Sequence, residues 1–93
     1  MIYYKIKWND TRGDEYDNWG KSNWFLELDY EHYPMRQIEV YDNGKRLKYH
    51  SEMNNDAFGK LGDQPIEINE INGIELSLSE FERQWKIKSF NQY

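Results

Sequence analysis

The stretch MRQIEVYDNGKRLKYH, residues 35–50, has the pattern of a β-hairpin and decides which fold the chain can adopt. Its two halves, residues 35–42 and 45–50, contain many residues that favour strands, and they flank Asn43 and Gly44. Asn-Gly is the pair that best tolerates the two positive φ angles of a type I′ turn, which joins two strands through a two-residue loop. The sequence therefore predicts an antiparallel hairpin that turns at Asn43-Gly44.

A two-residue loop also fixes which residues face each other across the hairpin. In that register apolar side chains meet apolar ones and acids meet bases, which are the combinations that stabilise cross-strand pairs. The predicted partners are Asp42 and Lys45, Tyr41 and Arg46, Val40 and Leu47, Glu39 and Lys48, and Ile38 and Tyr49. A slip of one residue would break each of these matches, so the pattern favours this register.

Two further segments, residues 2–8 and residues 23–30, alternate apolar and polar side chains with the period of a half-buried strand. The polar stretch 9–22 is too rich in Asp, Asn and Gly for a regular element, and residues 51–64 have the composition of a loop. Residues 65–72 fit either a short helical turn near residue 68 or an edge strand, and the sequence leaves both open.

The last predicted element is a helix from Leu78 to about Lys88. Ser77 and Glu80 have the spacing of a capping box, in which each side chain satisfies a backbone N–H at the helix start. Apolar residues then recur on one helical face, which can lie on the sheet. The residues expected on that face are Leu78, Phe81 and Trp85.

These elements predict an α+β fold, with an antiparallel sheet of about four strands and one C-terminal helix packed on it. The 93 residues form one domain, since each half would be too small to bury a core. Aromatic residues make up 17% of the chain and can supply that core. Cysteine is absent, which excludes disulfides, a thiolate nucleophile and cysteine-bound zinc. With no apolar run of membrane-spanning length, we expect a cytoplasmic protein.

The charge of the chain is unevenly distributed. The formal net charge is −5, and acids are concentrated in residues 10–31 and again in residues 61–82. The second of these segments holds no Lys or Arg. Such segments repel a phosphate backbone and attract a basic protein. A solvated surface that keeps the protein in solution is the simpler alternative.

Several segments together resemble a family of small, uncharacterised bacterial domains, some of which are found where toxin and immunity genes cluster. The matching residues are Tyr3-Tyr4-Lys5-Ile6-Lys7-Trp8; Leu26-Glu27-Leu28-Asp29, Tyr33, Arg36, Ile38-Glu39-Val40-Tyr41 and Gly44; and Leu61-Gly62-Asp63, Pro65-Ile66, Glu70-Ile71-Asn72, Leu76-Ser77, Glu80-Phe81-Glu82 and Trp85. Residues 9–23 and 50–58 lie outside the resemblance, and the chain lacks an acidic-Pro pair that the family carries in the first of these stretches. The resemblance implies a bacterial origin and an immunity-type role, and it carries over no catalytic residues.

The sequence offers little support for an enzyme, a metal site or a nucleic-acid site. His32 and His50 are far apart, no spacing recommends a nucleophile with an adjacent base, and no glycine-rich phosphate loop is present. The acids of residues 10–17 lack the spacing of a calcium-binding loop. Lys5 and Lys7 are too few to outweigh the acidic charge in front of a phosphate backbone. We therefore expect no cofactor, no metal and no nucleic-acid or membrane partner.

The residue pattern favours a non-enzymatic domain that binds a protein. Exposed acids accelerate encounter with a basic partner, and Tyr and Trp are the residues that interface centres favour. The predicted partner-binding residues are Asp14, Glu15, Tyr16, Asp17 and Trp19 in the first acidic segment, with Glu27, Asp29 and Glu31 behind them. The partner that fits best is a basic toxin such as a nuclease, which makes this chain an immunity protein. A regulatory interaction domain without a toxin is the alternative, and the oligomeric state stays open.

Overall fold

The computed structural model describes residues 1–70 and 72–91, and it has the predicted α+β architecture. The strands are β1 (Ile2–Trp8), β2 (Ser22–Leu28), β3 (Pro34–Tyr41), β4 (Arg46–His50), β5 (Asn55–Asp56), β6 (Gly59–Lys60) and β7 (Ile74–Leu76), and the helix is α1 (Leu78–Trp85). Five strands form one antiparallel sheet in the order β4-β3-β2-β1-β7, whereas β5 and β6 form a separate small hairpin. The sheet has one strand more than the four predicted, because β7 pairs with the outer edge of β1.

The segments between the strands contain more regular structure than their composition predicted. The polar stretch 9–22 includes a 3-10 turn at Asp17–Trp19, and the expected loop 51–64 contains the β5–β6 hairpin. Of the two alternatives for residues 65–72, the structure forms the short helical turn, at Ile68–Glu70. Ile71, which contributed to the helical spacing there, lies outside the described residues.

The β3–β4 hairpin forms, but the predicted register is wrong by one residue. Glu39 lies opposite Leu47, and Lys48, its predicted partner, lies opposite Ile38. All the predicted cross-strand pairs are displaced in the same way. The predicted acid–base match between Glu39 and Lys48 is therefore absent, and the two side chains project from opposite faces of the sheet.

A three-residue loop causes this difference. The amide of Tyr41 donates to the carbonyl of Lys45 (2.9 Å), and the amide of Gly44 donates to the carbonyl of Tyr41 (2.9 Å). Gly44 has φ +91°, but Asn43 has a negative φ, so the type I′ turn does not form. A tight turn followed by a glycine in the left-handed region is the usual three-residue hairpin loop, and it suits the same Asn-Gly pair.

The burial of apolar side chains on the face of the sheet that carries Leu47 and Tyr49 explains why the chain adopts the displaced register. It brings Leu47 and Tyr49, both with no exposed surface, into a cluster with Trp19 and Tyr41. Full burial of one large apolar side chain is worth about 1.5–3 kcal/mol, whereas a favourable cross-strand pair contributes only about 0.2–1 kcal/mol. The predicted register would have pointed Lys48 into that cluster instead.

Both faces of the sheet are covered, one by the helix and the other by loops. The helix face lies under α1 and holds Phe25, Ile38 and Phe81 at its centre. The loop face lies under irregular chain from residues 10–19 and 58–68. The buried residues of the loop face are Ile6, Leu26, Leu28, Trp19, Tyr41, Leu47 and Tyr49. A helix therefore protects one face, and loops protect the other.

The helix begins as the sequence predicts. The amide of Glu80 donates to Ser77 Oγ (3.2 Å), and the amide of Ser77 donates to Glu80 Oε1 (3.1 Å), which completes the capping box. Phe81 is fully buried and Trp85 is half-buried against the sheet. Leu78 was predicted on the same face, but 54% of it is exposed. Across residues 1–70 and 72–91, no helix has the length and apolar character that crossing a membrane requires.

The helix ends at Trp85, three residues earlier than predicted, and cations from β4 bind its last carbonyls. Arg46 Nη2 donates to the carbonyl of Gln84 (3.1 Å), and Lys48 Nζ donates to the carbonyl of Trp85. The last carbonyls of a helix lack partners within it, and a positive charge there also complements the helix dipole. Because the hairpin register does not place Lys48 opposite Glu39, Lys48 can bind the end of the helix and stabilise it.

Candidate functional site

An open pocket of about 390 Å³ lies on the loop face, where the sheet meets the two covering loops. One wall comes from residues 8–14 and the other from residues 58–62. The floor consists of side chains from the two central strands, namely Ser22, Trp24, Gln37, Glu39 and Tyr41. Its size falls within the usual range of sites that hold a small molecule or a protruding side chain.

Glu39 is the acid at the centre of this floor, and it is only 4% exposed. Tyr41 OH donates to one carboxylate oxygen, and Gln37 Nε2 donates to the other (2.8 Å). In the sheet its cross-strand neighbours are Trp24 and Leu47. Glu39 is therefore a buried carboxylate with two hydrogen-bond donors and no ion pair among the described residues.

The surroundings of Glu39 favour its neutral form. Burial raises its pKa, and the hydrogen bonds from Tyr41 and Gln37 offset only part of that effect. The same burial, together with the negative charge of Glu39, raises the pKa of the Tyr41 phenol. A carboxylate that has lost its water and gained no cation is the usual cause of such a shift.

Gln37 ties the floor to the wall above it. Its amide nitrogen donates to Glu39 and to the carbonyl of Lys60 (3.2 Å), and its amide oxygen accepts from the amide of Gly62 (3.0 Å). A Cβ on Gly62 would lie 3.1 Å from Pro34 Cγ, so glycine lets the chain approach the sheet closely. The wall at residues 58–62 is thus held by a buried amide whose donors and acceptor are all engaged.

Arg12 holds the opposite wall in place. Its guanidinium donates to Tyr41 OH (3.0 Å), to the carbonyl of Phe58 and to Asp14 (3.1 Å), with only 14% of its side chain exposed. It also lies over three aromatic rings, with 5.3 Å to the centroids of Tyr16 and Trp19 and 5.6 Å to that of Tyr41. Such cation–π contacts are worth about 0.5–2 kcal/mol each. Arg12 therefore connects the acidic loop, residues 10–17, to the sheet and to the β5–β6 hairpin.

The acids of the first predicted segment have local roles as well as exposed surface. Asp14 accepts from Arg12 and from the amide of Tyr16 (2.8 Å), and Asp17 accepts from the amide of Gly13 (2.8 Å). The bonds from Arg12 and the Tyr16 amide lower the pKa of Asp14, and bonds from the Thr11 side chain and the Gly13 amide lower that of Asp17, so both stay charged at neutral pH. The loop thus presents its negative charge on an ordered backbone.

Two tryptophans line the pocket, Trp8 at its mouth and Trp24 on its floor. Trp8 and Trp24 stack with ring centroids 5.8 Å apart, and Trp8 is 47% exposed. Trp24 Nε1 donates to Ser22 Oγ (2.8 Å), which fixes its ring on the floor. An exposed indole at the rim of a pocket offers a flat apolar contact to whatever enters.

The structure separates the predicted partner-binding residues into two groups. Asp14, Glu15 and Asp17 are exposed on the acidic loop beside the pocket, with Tyr16 half-buried behind them. Trp19 is only 6% exposed and belongs to the core, so it has little surface to offer a partner.

The second group lies at the other end of β2 or on the other face. Glu27 is buried on the helix face, where Arg36 donates to both of its oxygens (2.9 and 2.8 Å). Asp29 accepts from the amides of Glu31 (2.9 Å) and Tyr33 (3.0 Å) and so stabilises the β2–β3 turn. Glu31 is exposed on that turn, about 20 Å along the strand from the acidic loop. Glu27, Asp29 and Glu31 therefore do not form one surface with the loop.

Sequence reasoning missed Arg12, Glu39 and Trp8 as residues of the site. The sequence pattern predicts no role in a site for Arg12 or Trp8, and it predicts Glu39 in a cross-strand pair with Lys48. A single lone cation within an acidic, aromatic segment is a signal that could have identified Arg12.

Among the described residues, no three His, Asp or Glu side chains come together in a group that could hold a metal ion. Comparison with known proteins adds no relative: no family model, no curated protein and no solved structure matches this chain.

Proposed function

We propose that the chain is a non-enzymatic protein-binding domain that acts in the cytoplasm as an immunity protein and neutralises a basic toxin by direct contact. The observation that carries the proposal is the acidic loop of residues 10–17, which is ordered by Arg12 and lies beside an open pocket with an exposed Trp8. An ordered, charged rim next to an aromatic contact is the arrangement that protein interfaces use.

The charge of this surface supports a basic protein as the partner. Asp10, Asp14, Glu15 and Asp17 are exposed, while the guanidinium of Arg12 points inward. A cytotoxic nuclease must be basic where it binds phosphate, so an acidic inhibitor can occupy that site and be steered to it. The same charge opposes binding of a nucleic acid to the loop.

The residues of the pocket support binding rather than catalysis. Neither His32 nor His50 lines it, and Ser22 Oγ accepts a hydrogen bond from Trp24 instead of facing a base. Nucleophilic catalysis needs a nucleophile and a base within hydrogen-bond reach of each other. Glu39 is the carboxyl of the pocket whose pKa is raised, and its hydrogen-bond partners are Tyr41 and Gln37, not a serine nucleophile or a histidine base.

The experiment uses the product of the gene adjacent to the one that encodes this chain. Association of the two purified proteins is followed by stopped-flow tryptophan fluorescence at about 0.05 M and about 0.5 M salt. We expect the association rate constant to fall at the higher salt concentration. In cells, expression of this chain should restore growth that the neighbouring gene product inhibits.

Two pairs of substitutions with the same change in net charge locate the contact. Asp10→Asn with Glu15→Gln removes two of the four acids of the acidic loop, and we expect it to lower the association rate about fivefold. Glu52→Gln with Glu75→Gln neutralises exposed acids elsewhere and should leave the rate nearly unchanged. A rate that ignores salt, or that responds equally to both pairs, contradicts the proposed surface. Binding to a neighbour that is not toxic would support the regulatory interaction domain instead.

A further inference from the structure

The pocket over Glu39 has a chemical character that the acidic rim alone does not explain. Glu39 accepts two hydrogen bonds, yet an ionised carboxylate has about four acceptor sites. Among the described residues no cation forms a salt bridge with it: Arg12 donates to Tyr41 OH and acts on Glu39 only at a distance, and Lys60 pairs with Asp63 at 3.5 Å. A buried acid that lacks a cation lowers stability, and a ligand that brings a positive charge would remove that penalty.

The lining of the pocket also favours a cation over an anion. Three carboxylates line it, those of Asp10, Asp14 and Glu39, against the two cations of Arg12 and Lys60. Both cations are already engaged with carboxylates of their own, which leaves Asp10 and Glu39 to act on a ligand. The charge that remains available in the pocket is therefore negative.

The aromatic rings at the mouth suit the stem of a long basic side chain. Trp8 at the mouth stacks on Trp24 of the floor, and the methylene groups of Lys or Arg lie readily along apolar rings while the charged end goes further into the pocket. The chain already contains one example of this chemistry next to the pocket, where Arg12 lies over the rings of Tyr16 and Trp19 and ends on Asp14.

We infer that this pocket receives one Lys or Arg side chain of the protein partner, with its stem between the rim and Trp8 and its charged group on the carboxylate of Glu39. The inference rests on the proposed function, since it names the anchor of the same interface. The acidic loop then accelerates the encounter, whereas the pocket prolongs the life of the complex.

The first test needs no partner. Nα-acetyl-arginine amide is titrated into the ¹⁵N-labelled protein, and Nα-acetyl-citrulline amide, which has the same shape without the charge, is the matched ligand. The indole N–H signals of Trp8 and Trp24 should move with the arginine compound, while that of Trp85, on the helix face, should not. The citrulline compound should bind about tenfold more weakly or not at all.

Two variants identify the acid. Glu39→Gln keeps the size of the side chain and removes its charge, and it should weaken binding of the arginine compound about tenfold. Glu27→Gln makes the same change on the helix face and should leave binding unchanged. Equal shifts from the arginine and citrulline compounds, equal binding to both variants, or movement of Trp85 with Trp8 would overturn the inference.

The second test uses the complex and separates this inference from the proposed function. Glu39→Gln should raise the dissociation rate constant of the partner about tenfold and leave association nearly unchanged, in contrast to a change at Glu15, which does not line the pocket. If the arginine compound binds but no protein associates, the proposed function is wrong and the pocket is a site for small cations. If the partner associates by salt-dependent steering but Glu39→Gln has no effect, only the pocket inference is wrong.

Discussion

Glu27 and Glu39 are both buried on the two central strands of the same sheet, and their carboxylates experience opposite environments. On the helix face, Glu27 accepts two hydrogen bonds from the Arg36 guanidinium, and Arg36 also donates to Glu82 on α1. On the loop face, Glu39 accepts hydrogen bonds from the phenol of Tyr41 and the side-chain amide of Gln37. The bonds from Arg36 lower the pKa of Glu27 although burial opposes them, whereas burial raises the pKa of Glu39.

This difference separates a buried carboxylate that a cation of its own chain neutralises from one that has no such cation. The carboxylate of Glu27 is neutralised by its own chain, so it needs nothing from outside. Glu39 has no cation partner and lies beside an open pocket, where an incoming cation could do what Arg36 does for Glu27. Two acids that look alike in sequence therefore serve different purposes, and the predictions below test that contrast.

The largest effect is expected from Arg36→Met, which leaves Glu27 buried without its cation. Removal of one partner of a buried ion pair usually costs about 3–5 kcal/mol, and we expect about 3 kcal/mol because part of the Arg36 side chain is exposed. The free energy of unfolding is measured with urea at neutral pH.

The matched control is Arg83→Met, which changes an exposed arginine of α1 and should alter stability by less than about 0.5 kcal/mol. Adding Glu27→Gln to Arg36→Met should recover part of the loss, because the double variant no longer buries a lone charge. If Arg36→Met costs no more than Arg83→Met, the helix face does not depend on this pair.

Arg12→Gln should have an intermediate effect on stability, because the Arg12 side chain connects the loops of the loop face to the sheet. Loss of the bonds to Tyr41, Phe58 and Asp14 should cost about 2 kcal/mol. Hydrogen exchange should accelerate at amides of residues 13–17 and stay unchanged in α1. Lys21→Gln, an exposed change at the end of the same loop, is the control. Unchanged exchange in residues 13–17 would show that Arg12 does not order the acidic loop.

Short-range signals explain most of what the sequence predicted correctly about the fold. The capping box of Ser77 and Glu80 involves residues three apart, and the alternation of residues 2–8 belongs to one strand. The hairpin register could not be obtained in that way, because Asn43-Gly44 suits both a two-residue and a three-residue loop. The contact that decides between them joins Leu47 to Trp19, which is distant in the chain.

The same register explains why the candidate site was only partly predicted. With Lys48 opposite Glu39, the sequence predicts an ordinary ion pair on a strand, so nothing in the pattern marks Glu39 as part of a site. The exposed acids Asp14, Glu15 and Asp17 were identifiable from composition alone. Their fixed geometry depends on Arg12, whose partners Tyr41 and Phe58 are distant in sequence. Local charge patterns revealed the rim of the site but not its floor.

The smallest effect, and the most direct test of the contrast, is the pH dependence of stability in Glu39→Gln and Glu27→Gln. The pKa of Glu39 is raised in the folded state, so its contribution to stability is complete below the unfolded-state value of about 4.3 and is lost as pH rises through the folded-state pKa. Glu39→Gln removes that loss, and it should gain about 1 kcal/mol relative to the parent protein between about pH 4 and pH 8.

Glu27→Gln should show the reverse trend. The pKa of Glu27 is lowered by Arg36, so its contribution is present above the unfolded-state value and is lost as pH falls through the folded-state pKa. The variant should therefore be less stable than the parent protein at neutral pH and approach it in acid. Urea unfolding at a series of pH values measures both differences. Parallel pH profiles for the two variants would mean that Glu39 is as well neutralised as Glu27, which would leave the pocket without an unpaired charge to attract a partner.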